Sequence, residues 1–153
     1  MMSSFSIIYV HAIFSTKFRE PLIEADIEHQ LQKYIAGIGR NKGIPIINSG
    51  GMSDHIHILL KLPSTMSISS AMHLIKGSTS KWINDTFYDD RRFKWQGGYS
   101  AFSVSRSNVE QVKSYISNQK EHHRYYSFEE EHKRMLLKHG VVLNNKTIDA
   151  GHK

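Results

Sequence analysis

Two histidines, His55 and His57, stand two residues apart in Asp54-His55-Ile56-His57-Ile58-Leu59-Leu60, a run that reads as a β-strand. Side chains at i and i+2 of a strand share one face, so both imidazoles can reach one metal ion. The other parity, Ile56, Ile58, Leu60 and Leu62, is apolar and belongs in a core, which sends the histidines to the opposite face. Asp54 has the parity of the apolar set, so it is expected beside the site and not among its ligands. The chain holds ten histidines, and a lone His-x-His pair is most often two ordinary strand residues.

A second feature changes that balance. Sixty residues on from His55, Tyr115 and Gln119 stand four apart in a stretch that starts with Ser107 and Glu110, the spacing of a capping box. Residues at i and i+4 of a helix lie one above the other, so a phenol and a carboxamide would be presented side by side. A phenol can act as a nucleophile, and an amide oxygen can bind a hard cation. The competing reading of Tyr115 is a core aromatic, because Val109, Val112 and Ile116 supply an apolar stripe next to it.

The histidine strand followed by a late helix with Tyr-x-x-x-Gln resembles the HUH single-tyrosine transposases of the smallest bacterial insertion sequences. The likeness runs from about Phe5 to about Arg124. It includes the segments 78–84 (STSKWIN) and 95–105 (WQGGYSAFSVS), which look like the branch associated with repetitive extragenic palindromes. It implies a single-stranded DNA transesterase with Tyr115 as nucleophile and His55, His57 and Gln119 as ligands of Mg²⁺ or Mn²⁺. It also implies a hairpin-bearing single strand as substrate, a covalent 5′-phosphotyrosine intermediate, and a homodimer in which one subunit's tyrosine helix can complete the other's histidine site.

Composition is compatible with that chemistry. Twenty Lys and Arg against fourteen Asp and Glu give a net charge of +6, which favours a polyanionic partner without requiring one. The absence of cysteine excludes disulfides and thiolate metal sites, so any metal must sit on imidazole or oxygen, which points to Mg²⁺ or Mn²⁺ over structural zinc. The longest apolar stretch, near Ile56 to Leu62, is too short to span a bilayer, and residues 1–4 lack the start of a secretory signal, so a cytoplasmic protein is expected.

The elements that must position these residues follow from periodicity. Phe5 to Phe14 reads as a first strand and Asp26 to Arg40 as an amphipathic helix ended by Gly43. Ile44 to Asn48 reads as a strand, Ser49-Gly50-Gly51 as a turn, and Met52 to Leu62 as its hairpin partner. Ser67 to Phe87 is a second helix and Tyr99 to Ser105 a further strand before the tyrosine helix. The order βαββαβ is the α+β, ferredoxin-like split βαβ plan, an antiparallel sheet with helices on one face. Its other face, carrying the histidines, is expected to be free. One domain over 1–143 is expected, with Ser127 and Glu130 capping a charged helix over 129–139, and 144–153 as a flexible tail.

Lys76, Lys81, Arg91, Arg92 and Lys94 are candidate contacts to DNA phosphates, each with surface solvation as the ordinary alternative. The run His122-His123-Arg124-Tyr125-Tyr126 suits base stacking, although cations at a helix end are the commoner explanation. Trp82 and Trp95 read as core. Two other functions fit parts of the pattern. One is a non-catalytic ferredoxin-like module whose open sheet binds single-stranded nucleic acid. The other is a histidine-based metalloregulator, against which the lack of a further compact His cluster counts.

Overall fold

The computed structural model describes residues 3–142. The tail expected over 144–153 and the last residue of the expected domain lie outside them. Four strands, β1 (Tyr9–Ser15), β2 (Ile46–Met52), β3 (His55–Lys61) and β4 (Ser100–Val104), form one antiparallel sheet in the order β2-β3-β1-β4. Helices α1 (Ala25–Lys42) and α2 (Ile68–Phe87) intervene as the split βαβ plan requires. Then come α3 (Val109–Ser117), the single turn α4 (Gln119–His122) and α5 (Phe128–Lys138).

Alternation sorts the sheet into two faces. Val10, Ala12 and Phe14 of β1 join Ile56, Ile58 and Leu60 of β3 in the main core, closed by Ile27, Leu31 and Ile35 of α1 and by Met72, Ile75 and Ile83 of α2. Each such side chain contributes about 1.5–3 kcal/mol by leaving water. The helices that close this face start and stop where local chemistry dictates. The Ser67 hydroxyl caps α2 by accepting from the Ser70 N–H, and Gly43, at φ 71°, ends α1 in the left-handed conformation.

The opposite face is not free. Leu59 packs with Val109 and Ile116 of α3, while Ile13 and Phe102 pack with Phe128 of α5. The expectation of an open sheet failed because these apolar residues are too sparse in sequence to announce a second layer. Ser49-Gly50-Gly51 is likewise strand and not turn, since β2 runs through Met52 and the turn is Ser53-Asp54. A Cβ on Gly50 would stand 3.0 Å from the Ile116 carbonyl oxygen, and one on Gly51 would overlap the His55 carbonyl. These glycines let a helix and a neighbouring strand approach closely, a use that looks like a turn signal in sequence.

Two further boundaries differ. β1 starts at Tyr9, leaving Phe5, Ile7 and Ile8 exposed. The tyrosine helix begins after a short 3₁₀ turn at Arg106–Asn108, and Ser107 bonds Ser105 instead of capping. The Ser127 cap of α5 forms as expected, accepting from the Glu130 N–H.

Candidate active site

The histidine-bearing parity of β3 meets α3, α4 and α5 in a buried polar cluster. His55 and His57 are 1% and 0% exposed. At its centre is Glu131 of α5, which sequence reading did not select. Its Oε1 accepts from His57 Nε2 at 3.0 Å and from His123 Nε2 at 3.2 Å, and lies 3.4 Å from His55 Nε2. Its Oε2 accepts from the Gln119 amide at 2.9 Å and from the Tyr115 hydroxyl. One carboxylate therefore gathers the expected nucleophile and the three expected metal ligands, with one oxygen on the imidazoles and the other on the phenol and amide.

Tyr115 and Gln119 do not share one continuous helix. Asn118 leaves helical geometry, and its N–H bonds back to the Ser114 and Tyr115 carbonyls, so Gln119 opens α4. Both still converge, with Gln119 Oε1 at 3.0 Å from His55 Nε2. Tyr115 is half-buried. Its ring packs on the Leu59–Val109–Ile116 cluster, so the core-aromatic reading holds for the ring while the hydroxyl faces the site.

The far nitrogens of both histidines are held. His55 Nδ1 bonds Asp54 Oδ1 at 2.8 Å, and His57 Nδ1 bonds His11 Nε2 at 2.8 Å. Such partners fix ring orientation and leave Nε2 facing the site, the arrangement found behind metal-ligating histidines. Asp54 thus supports His55 from outside the ligand set, as strand parity suggests. His11 lies on β1, directly across from Leu59, and is buried. Its parity with Tyr9 and Ile13 was the available signal for placing it on the histidine face.

Burial and hydrogen bonding divide the protonation states. Burial alone would lower His55, but hydrogen bonds to Asp54, Glu131 and Gln119 outweigh it and push the imidazole up to about 9. His57 is brought down to about 4 by burial, against the pull of Glu131, and His11 to about 3 by burial and the neighbouring His57. Burial would raise Glu131, yet its bonds from His123, His55 and His57 hold it far below the usual carboxylate range. The Tyr115 phenol is raised, first by burial and then by the Glu131 carboxylate. Without a metal, these environments favour His55 as an imidazolium, His57 and His11 as neutral imidazoles and Glu131 as a carboxylate.

The donor set suits a divalent ion. His55, His57 and Glu131 each offer one ligand atom, all within 4.8 Å of one another, and nitrogen with hard oxygen is the chemistry expected without cysteine. Gln119 Oε1 stands next to them.

The proposed DNA-contacting cations lie elsewhere. Lys76 is half-buried and donates to the Gln96 and Gly98 carbonyls at 2.7 and 2.6 Å, tying α2 to the loop before β4. Lys81 and Arg91 both pair with Asp85 at 2.7 and 2.8 Å, and Arg92 lies over the Tyr88 ring. Lys94 is exposed. Helix α2, which carries Lys76 and Lys81, packs on the sheet face opposite the histidines. Trp82 and Trp95 pack against the core as expected. In the His122–Tyr126 run, His123 joins the cluster and the His122 ring packs against that of Tyr115, centroids 4.4 Å apart and tilted by 32°.

Fold and sequence comparisons converge on one class of protein, the transposases. The family model described as IS200-like transposase matches residues 4–119, and the chain belongs to that family. It is 29% identical over 117 residues to the transposase for insertion sequence element IS200 of Salmonella typhimurium, covering 72% of this chain and 76% of the relative, and equally to that of Salmonella typhi. Two solved structures share the fold. A candidate transposase of Deinococcus radiodurans R1 aligns with a TM-score of 0.64 at 21% identity, over 78% of this chain and 95% of the other. A REP-associated tyrosine transposase bound to a REP hairpin aligns at 0.53 and 16%, over 92% and 76%. Among the described residues no helix is long and apolar enough to cross a membrane. Glu131 and the rest of α5 fall beyond the family match.

Proposed function

We propose that this transposase cleaves and rejoins single-stranded DNA at hairpin-bearing ends through a covalent 5′-phosphotyrosine on Tyr115. The observation that carries this reading is the Glu131 carboxylate, which bonds the Tyr115 hydroxyl through one oxygen and His57 through the other. A nucleophile, its proton acceptor and a paired-histidine metal site are thereby joined at one point. Tyr115 Oη attacks phosphorus as its proton passes to Glu131 Oε2, and the bond from phosphorus to the 3′ oxygen breaks. The leaving 3′ oxygen takes up a proton, and the strand's 5′ phosphate remains on the tyrosine. A different 3′ hydroxyl can reverse the step and join new ends, so no nucleotide cofactor is needed.

A divalent ion, Mg²⁺ or Mn²⁺, held by His55, His57 and oxygens of Gln119 and Glu131 would polarise the scissile phosphate and stabilise charge on its oxygens. Asp54 and His11 keep the two ligand rings oriented toward it. The hairpin bound by the REP-associated relative supports a single-stranded hairpin as substrate here.

Tyr115 and both histidines meet within one chain, which favours a site assembled in cis. A homodimer would then serve to hold two DNA ends. The non-catalytic alternative needs a sheet face on which bases can stack, and the burial of His55 and His57 leaves none there.

The test mixes purified protein with labelled single-stranded hairpins, including those flanking its own gene, in Mg²⁺ or Mn²⁺ and in EDTA. A denaturation-resistant adduct is expected with metal only. Tyr115→Phe should abolish it while hairpin binding persists, and His57→Ala should lose cleavage with the fold intact. Normal cleavage by Tyr115→Phe removes Tyr115 as nucleophile, and unfolding of His57→Ala would make that histidine a packing residue. Mixed Tyr115→Phe and His57→Ala chains should not complement each other.

A further inference from the structure

We propose that the cleft bounded by β4, α3 and α5 seats the nucleotide next to the scissile phosphate, and that Arg134 and Lys138 hold that nucleotide's backbone phosphate. This rests on the transesterase reading for its substrate, but the α5 wall that carries both cations lies beyond the family match. It encloses about 510 Å³, within the range of small-ligand sites, and its inner end is lined by the buried His11 and Glu131 and the half-buried Tyr115.

The opposite end is cationic. Arg134 and Lys138 line it, both exposed, and lie three and seven residues after Glu131 on one face of α5. At 1.5 Å of rise per residue they extend about 4–10 Å along the helix from the carboxylate that holds the nucleophile, the scale of one nucleotide step. Among the described residues Glu131 is the only acidic one lining the cleft, and both its oxygens are engaged with the site. Beyond Glu131, no acidic side chain among the described residues lines the cleft to pair with these cations. Arg134 stacks on the Tyr126 ring at 4.0 Å, which orients the guanidinium while leaving its N–H edge for an oxyanion. Lys138 has no ion-pair partner among the described residues. Lys81 and Arg91, across the sheet, by contrast share an ion-pair partner in Asp85.

A strand whose phosphodiester lies at Tyr115 Oη must continue away from it, and the cleft offers room, positive charge and apolar walls from Val112 and Met135 for sugar and base. The occupant is single-stranded DNA, since a duplex is too wide for a cleft between a sheet edge and two helices.

The experiment measures binding of a short fluorescent single-stranded oligonucleotide of mixed sequence across a salt series. It uses EDTA and a Tyr115→Phe background, so cleavage plays no part. Each phosphate contact on a single strand contributes about 0.7 to the slope of log affinity against log salt. Removing both cations with Arg134→Gln/Lys138→Gln is expected to flatten the slope by about 1.4 and to weaken low-salt binding roughly tenfold. Lys33→Gln/Arg40→Gln on α1 removes the same charge from the other side of the sheet and should change neither. The proposal is overturned by an unflattened slope, by equal flattening in the α1 variant, or by equal retention of a duplex of the same sequence. Absence of a metal-dependent adduct in the wild type would instead defeat the transesterase reading and leave this slope measurement standing.

Discussion

The two faces of the sheet are built from the same strands and obey opposite rules. Toward α1 and α2 the interior is apolar, and its large side chains ask only for volume. Toward α3, α4 and α5, His11, His55, His57, Gln119 and Glu131 are as deeply buried, and every buried side-chain nitrogen and oxygen among the described residues finds a partner. Satisfying such a network specifies position, because a buried polar group left unpaired costs about 1–3 kcal/mol. The apolar face holds the fold together, and the polar face fixes a phenol, two imidazoles and a carboxylate in one arrangement.

If that division is right, substitutions on the two faces separate chemistry from stability. The largest effect is expected from Glu131→Gln, which keeps shape but removes the proton acceptor. Adduct formation on a labelled hairpin should fall about 10²- to 10⁴-fold with the circular dichroism spectrum retained. A rate within tenfold of wild type would send the phenolic proton elsewhere. Ile58→Ala, on the apolar face, should cost about 2–5 kcal/mol in urea unfolding. Its adduct yield per folded molecule should be unchanged, and a selective loss of cleavage would break the comparison.

The polar face also makes stability depend on pH in the metal-free state. His55 is raised from 6.5 to about 9, so its contribution is fully present below pH 6.5 and is lost as pH rises through about 9. His57 is lowered to about 4, so its contribution is present above 6.5 and is lost as pH falls through about 4. Urea midpoints in EDTA should therefore peak near pH 6.5. Saturating Mn²⁺ should remove the alkaline decline, because the ion displaces the His55 proton. A midpoint that keeps rising from pH 6.5 to 9 in EDTA would contradict the ion-paired His55.

The smallest effect is expected at His11, whose hydrogen bond to the site is to the far nitrogen of His57. His11→Ala should weaken Mn²⁺ binding about 10- to 100-fold, as losing an orienting partner does, and His11→Asn should recover part of it. Equal Mn²⁺ affinity in all three proteins would reduce His11 to packing.

Much of this was legible in the chain. The βαββαβ order, the parity that separates Ile56, Ile58 and Leu60 from His55 and His57, and the Ser127 cap are local patterns legible over a few residues. Gly50 and Gly51 misled because a glycine looks the same whether it frees a turn or admits a neighbour's backbone. Glu131 stayed hidden in an acidic run at the start of a charged helix, Glu129-Glu130-Glu131, where nothing local separates the buried carboxylate from its exposed neighbours.

The sequence by itself determined the chemistry available, through a strand that must turn two imidazoles to one side and a four-residue spacing that keeps a phenol near an amide. Only the tertiary structure decided that α5 folds back across the sheet. Phe128 packs on Ile13 and Phe102, and that contact carries Glu131 in between Tyr115 and His57. A contact between residues so far apart in the chain leaves no periodic trace, since it depends on where whole elements come to rest against one another.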